Sequence, residues 1–254
     1  MGMLRTEYGD DVLEVTFDRP EKLNALRRVD IDELAGLIGD HTVRAIVFRG
    51  AGGRAFSAGV DVDEFLAIDG PDAARAFIAA LRDLLAAIRR SPAVTICAID
   101  GHCLGGAFEL ALAADLRVVT TRSHFGLPEV KLGIPSVIDA ALLAQYVGLG
   151  HAKDMILTGD LYAAGSRQTT TLCDRLVEPD QLDSTLAELV GKVAGHTRTV
   201  LASQKRLFET WQNSSLREAI DISVDEFATV FAAEDTRQAL ATYRQGLGAS
   251  RADR

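Results

Sequence analysis

The chain has 254 residues, 48% of them hydrophobic, and a formal net charge of −9 at pH 7. That length can bury one large core, or one core with an extension, and the interspersed charges exclude a basic footprint for nucleic acid or an anionic membrane. Cys97, Cys103 and Cys173 form no CxxC pair and, with five scattered histidines, offer no metal-ligand spacing, so a reducing cytoplasm without a bound metal is the expected setting.

The N-terminus lacks a secretory pattern and no apolar run reaches membrane length. Gly2 followed by Thr6 fits a loose myristoylation pattern, but Val12 to Asp18 already alternates like a strand and the match carries little weight. Val12–Phe17 and Ala45–Phe48 read as strands with a helix over 30–38 between them. The amphipathic stretch 72–89 predicts a second helix, followed by a buried strand over 93–99 and another over 116–119. Strand, glycine-containing turn and helix therefore recur, which predicts an α/β fold with a largely parallel sheet whose carboxyl-end turns collect functional groups. Beyond Pro135, segments 136–146, 153–157 and 182–193 read as Ala- and Leu-rich helices, and the last sixty residues as wholly helical. There Leu216, Ile220, Val224, Phe227 and Phe231 form a stripe for intramolecular packing or a subunit interface, and residues 246–254 read as a frayed tail.

Gly105 and Gly106 open an apolar helix in which Glu109 is the only polar side chain between Ala107 and Ala114. Two readings stay open: Glu109 lies on a narrow solvated face, or it is a buried carboxylate whose desolvation raises its pKa for chemistry. Twenty residues on, Pro128 and Glu129 start a short helical turn, where an acid can simply complement the helix dipole. The run Arg54–Asp61 leads into a helix near Asp63; Gly59 could leave a backbone N–H free, and Asp61 could equally be a helix cap. Gly50–Gly53 lacks the Lys-Ser/Thr of a phosphate loop and reads as a turn. Cys103 adjoins the glycine pair without a visible activating base, so a packed or hydrogen-bonded role is expected.

Taken in order, Asp18-Arg19-Pro20, Leu23–Leu26, Ala55–Asp61, Gly101–Leu110 and Phe125–Glu129 resemble the crotonase, or enoyl-CoA hydratase/isomerase, family. The resemblance is specific over 18–135 and looser beyond. It implies a spiral of ββα repeats over 1–194, a helical trimerisation region over 195–254, assembly as a homotrimer or homohexamer, and an acyl-CoA thioester substrate with no separate cofactor. By position, the N–H groups of Val60 and Gly106 would form an oxyanion hole. Glu109 would activate water toward C3 and Glu129 would supply the proton at C2, the pair titrating as a unit. The CoA moiety would lie along Asn24, Ala25 and Leu26, and along Phe56, Ala58, Gly59 and Asp61, with Gly105 and Pro128 lining the site. Lys22, Arg27 and Arg28 are the nearest candidates for its phosphates, and Lys205 a further one that could reach the nucleotide.

Retention of both acids favours an enoyl-CoA hydratase of fatty acid metabolism. The alternatives are an isomerase, another acyl-CoA lyase, decarboxylase or hydrolase of the family, or a silent acyl-CoA-binding subunit. Residues 133–142 depart from the family's glycine-rich acyl-pocket segment. Ser136 and Asp139 there suggest a helix cap in place of the glycine-dependent backbone path. Residues 238–243 also replace a more usual Glu-Gly-x-x-Ala-Phe pattern, which would alter contacts across a trimer.

Overall fold

A computed structural model describes residues 3–9, 11–39 and 43–252; Gly2, on which the lipidation pattern rests, lies outside them. Strands β1 (Leu4–Gly9) and β2 (Val12–Phe17) form an antiparallel hairpin, and helix α1 (Arg28–Ile38) crosses to β3 (Ala45–Gly50), which lies parallel to β2. The chain then repeats a pattern. β4 (Ala55–Ser57) leads to α2 (Val62–Leu66) and α3 (Gly70–Arg90); β5 (Val94–Ile99) and β6 (His102–Leu104) lead to α4 (Gly106–Ala113). β7 (Leu116–Thr120) and β8 (His124–Gly126) lead to a 3₁₀ turn over Pro128–Leu132. In each ββα unit the first strand joins one sheet and the second strand the other.

Two helices, α5 (Leu143–Val147) and α6 (Leu149–Thr158), precede β9 (Tyr162–Ala163) and β10 (Arg175–Val177); then come α7 (Leu182–Ala194), α8 (Arg198–Asn213), α9 (Leu216–Val230) and α10 (Glu234–Ala252). The larger sheet has the order β1-β2-β3-β5-β7-β10, parallel except for β1, and the smaller has the order β4-β6-β8-β9. The expected parallel α/β spiral is thus present. Among the described residues no helix is long and apolar enough to cross a membrane.

The period-2 alternation of the strands explains the layering. Ala45, Val47, Ile96 and Val118 face α7 through Leu186, Leu189 and Val193, whereas Ile46, Phe48, Cys97 and Val119 face the main core with Phe56, Leu84 and Phe108. β5 is buried at all six positions, as a parallel strand covered on both faces requires.

Two buried cations tie this core together. The Arg117 guanidinium donates to the carbonyls of Ala111 and Ala114 at the end of α4, to that of Leu172, and pairs with Asp174. It thereby caps the helix that carries Glu109 with charge of the favourable sign. The Lys205 ammonium donates to the carbonyls of Ile88 (3.2 Å) and Ala93 (2.9 Å) and to Asp115 (2.6 Å). Burial pulls its pKa down while Asp115 pulls it back up. Lys205 therefore anchors α8 to the sheet and does not reach toward a nucleotide, contrary to the sequence expectation; its stem is buried rather than extended over the surface.

Other expectations shift locally. The short strands β4, β6 and β8 add a second sheet that the sequence does not announce, because three-residue segments carry too little periodicity to register. No continuous helix spans 136–146. Ile138 has φ +44°, a conformation that a β-branched residue adopts only under constraint, and the chain makes a 3₁₀ turn over Ile138–Leu142 before α5. Ser136 and Asp139 do not cap it: Val137 occupies the cap position without a side-chain bond. The expected tail over 246–254 continues α10 as far as Ala252, and Asp253 and Arg254 lie outside the described residues. The apolar stripe of Leu216, Ile220, Val224, Phe227 and Phe231 is between 46% and 78% exposed, so intramolecular packing does not account for it.

Lys205→Ala would leave Asp115 without its ammonium and the Ala93 carbonyl without a donor, while Ile88 would keep only the Ser91 N–H. It is expected to cost about 3–5 kcal/mol in urea unfolding; a loss below about 1 kcal/mol would show that the anchor contributes little.

Candidate active site

α4 begins at Gly106 with Gly105 as its cap residue, in a conformation (φ 53°, ψ −132°) that a side chain would strain. Against this turn packs the end of β4. A Cβ at Gly59 would sit 2.6 Å from the carbonyl oxygen of Leu104 and 3.1 Å from the nitrogen of Gly106, so the two backbones can approach only because residue 59 is glycine. A Cβ at Gly106 would in turn lie 3.9 Å from the nitrogen of Val60. Among the described residues neither the Val60 N–H nor the Gly106 N–H donates a hydrogen bond within the chain. Two free donors on adjoining backbone segments, one at a helix N-terminus, can receive an oxygen that gains negative charge.

Both acids approach this turn. Glu109 is 3% exposed on a helix buried along its whole length, which removes the solvated-face reading. Its Oε2 has no hydrogen-bond partner. Burial, reinforced by the charges of Glu129 and Asp139, pushes its pKa up to about 9, with the backbone N–H groups of Asp139 and Val137 acting in the opposite sense. Glu129 lies in the 3₁₀ turn opened by Pro128, half-buried, with its Oε1 over Gly105: a Cβ there would lie 2.8 Å from that oxygen. Its Oε2 accepts a hydrogen bond from Ser136 Oγ at 2.8 Å.

The expected CoA-binding segments converge on the same edge. Leu26 bridges to Val60 in parallel, the Leu26 N–H donates to the Gly59 carbonyl, and the Ala58 N–H donates to that of Leu23. Asn24 is fully buried at φ +58° and spends its amide on the carbonyls of Ala51 and Ala55, while Ala25 is also buried. This stretch can therefore meet a ligand only through backbone. Phe56 is packed edge-on to Phe17 in the core, and Gly59 donates to Ser57 Oγ. Asp61 caps α2, accepting from the Asp63 N–H, and pairs with Arg19.

The basic candidates already have partners: Lys22 meets Asp63 at 3.5 Å, Arg27 grips Asp30 through two nitrogens at 2.8 Å, and Arg28 meets Asp32 at 3.0 Å. Gly52 and Gly53 both take positive φ in a tight turn. Cys103 is buried, its thiol pushed well above the ordinary range, and Sγ donates toward the Ala107 carbonyl, consistent with a packed role.

Two features escape a reading of the sequence. Ser136, which suggests a helix cap, contacts Glu129 instead. Asp139 is buried against Arg89, whose Nε also reaches Glu209 of α8 at 3.3 Å, so the C-terminal region meets the carboxylates through an ion network. The proline before Ser136 and the missing glycines mark this segment as unusual, but only the fold shows where its side chains go.

A family model described as enoyl-CoA hydratase/isomerase matches residues 7–248. A probable enoyl-CoA hydratase of Mycobacterium bovis is 32% identical over 90% of this chain and 90% of its own. A short-chain-enoyl-CoA hydratase of Clostridium acetobutylicum is 29% identical over 91% of this chain and 90% of its own. Among solved structures, a putative enoyl-CoA hydratase from Streptomyces coelicolor superposes with a TM-score of 0.88 at 30% identity, covering 96% of this chain and 92% of that one.

The raised pKa of Glu109 links stability to pH. Because the folded chain holds this proton up to about pH 9 while a free glutamate releases it near 4.5, the stabilisation is complete below 4.5 and is lost as pH rises toward 9. Its slope is at most about 1.4 kcal/mol per pH unit. Glu109→Gln should flatten this decline and be the more stable protein at pH 8 by at least about 1 kcal/mol; parallel urea curves at pH 5 and 8 with no difference between the two proteins would contradict it.

Proposed function

This chain belongs to the enoyl-CoA hydratase/isomerase, or crotonase, family, and on that basis we propose that it adds water across the double bond of a 2-enoyl-CoA thioester. The observation that carries the reading is the placement of Glu109 and Glu129 beside two undonated backbone N–H groups, those of Val60 and Gly106. The hydratase names of the relatives support the same chemistry.

In this reading the thioester carbonyl oxygen accepts from both N–H groups, which draws electrons from the C2=C3 bond and makes C3 electrophilic. One such donor is worth about 3–4 kcal/mol at the transition state. The water oxygen bonds to C3 as one of its protons passes to a carboxylate, and the C2=C3 pair becomes an enolate on the carbonyl oxygen. The enolate then collapses as the other carboxyl group protonates C2. Water is the only co-reactant, so the balance closes with no cofactor beyond the CoA of the substrate.

The sequence assignment has Glu109 accept the proton of water and Glu129 deliver the one to C2. Since burial keeps Glu109 protonated at neutral pH, the two acids work as a unit and share the roles of proton acceptor and proton donor. The CoA chain follows the backbone of Asn24–Leu26 and Phe56–Asp61, past Gly105 and Pro128. Its phosphates compete for Lys22 and Arg27 with the carboxylates of Asp63 and Asp30.

The exposed α9 stripe supports assembly into a trimer or a dimer of trimers, since five apolar side chains on one unpartnered face favour association. Phe227→Asp is expected to shift the protein toward monomer in sedimentation velocity; a wild-type chain that is already monomeric at micromolar concentration would rule this assembly out.

With crotonoyl-CoA, wild type should consume the enoyl absorbance and yield a product heavier by one water. Glu109→Gln and Glu129→Gln should each lower kcat at least about a hundredfold, as the loss of a general acid or base does. Binding of the thioester without turnover, or a product of unchanged mass, would overturn hydration and leave a silent subunit or an isomerase respectively.

A further inference from the structure

The segment after Pro135 supplies a contact outside the usual two-acid description. Ser136 Oγ lies 2.8 Å from Oε2 of Glu129, and both residues are half-buried. The other carboxylate oxygen, Oε1, is the one turned over Gly105, next to the Gly106 N–H at the start of α4. A glutamate in a short 3₁₀ turn has three side-chain torsions to settle, and a hydroxyl on one oxygen selects the conformation that presents the other.

The same segment touches the partner acid. Ile138 takes φ +44° between Val137 and Asp139, and the backbone N–H groups of those two residues oppose the rise of the Glu109 pKa. Backbone strain at a β-branched residue is retained only where surrounding contacts over-determine it, and here Ile138 packs against the main core. One four-residue stretch thus bears on both carboxylates, on Glu129 by a side-chain hydrogen bond and on the pKa of Glu109 through its main chain.

We propose that Ser136 is a positioning residue for Glu129: by donating to Oε2 it holds Oε1 toward the bound thioester, so that proton delivery at C2 depends on the Ser136 hydroxyl. This rests on the two-acid reading above. Ser136 itself exchanges no proton with substrate, and its loss should slow the step that Glu129 performs without weakening thioester binding.

The test compares Ser136→Ala and Ser136→Thr with wild type in two assays: hydration of crotonoyl-CoA, and exchange of the C2 hydrogens of butyryl-CoA in D2O followed by NMR. Exchange reads proton transfer at C2 without water addition. Ser136→Ala should lower kcat and the exchange rate about tenfold, the order set by one hydrogen bond, with KM within about twofold of wild type. Ser136→Thr, which keeps the hydroxyl, should recover both rates to within about threefold, and Ser136→Ala should add no further loss to the residual exchange of Glu129→Gln. Thermal melts of the three proteins should coincide, which separates positioning from a folding defect.

Wild-type rates in Ser136→Ala, failure of Ser136→Thr to recover them, or an equal loss in the Glu129→Gln background would each overturn the proposal. A wild-type chain that exchanges C2 hydrogens without hydrating crotonoyl-CoA would sink the hydratase reading alone, and the exchange ratios would still decide the role of Ser136. Absence of both reactions would overturn both.

Discussion

The burial of one carboxylate on α4 is the constraint around which the rest is arranged. Glu109 sits on a helix with no exposed residue, so the cost of charging it falls on the surroundings rather than on water. The fold meets that cost by leaving the group protonated, a tendency that the Val137 and Asp139 N–H groups only partly oppose. The helix itself is held at both ends. At its start a glycine pair lets the Gly59–Val60 backbone approach, and at its end Arg117 takes the carbonyls of Ala111 and Ala114. A helix fixed in this way keeps an oriented N–H and a buried acid in constant relation.

The two-sheet layout explains why the site lies where it does. β4, β6 and β8 each follow a strand of the larger sheet and lie side by side, so the turns that leave them come together: Gly59–Val60, Gly105–Gly106 and Leu127–Glu129. Three segments far apart in the chain thereby meet at one edge. The C-terminal helices join through Lys205 on Asp115 and through Glu209 on the Arg89–Asp139 pair, so they contact the layer beneath the site as well as presenting an apolar outer face.

Ser136 and Ile138 lie where this chain departs from the family pattern, and both make contacts of their own. Glycines would permit a left-handed turn without strain. Here isoleucine takes the positive φ, held by core packing, and Ser136, two residues earlier, makes a hydrogen bond to Glu129 that glycine could not make.

Much of this is legible in the chain alone. The alternation in Val12–Phe17 and Ala45–Phe48, the amphipathic stripe of α3 and the glycine pair before an apolar helix predict the parallel α/β core and mark both carboxylates, because these signals depend on local periodicity and composition. Three kinds of fact come from the folded chain. The short strands of the second sheet are too brief to have a period. The partners of Ser136, Asp139 and Lys205 lie at sequence separations of 7, 50 and 90 residues, and none of these contacts leaves a local pattern. Whether Glu109 faces water or core depends on which elements pack around α4, since an apolar helix with one acid is compatible with either. Local pattern thus limits which residues can take part; packing decides which of them meet, and so the protonation of Glu109 and the partner of Glu129.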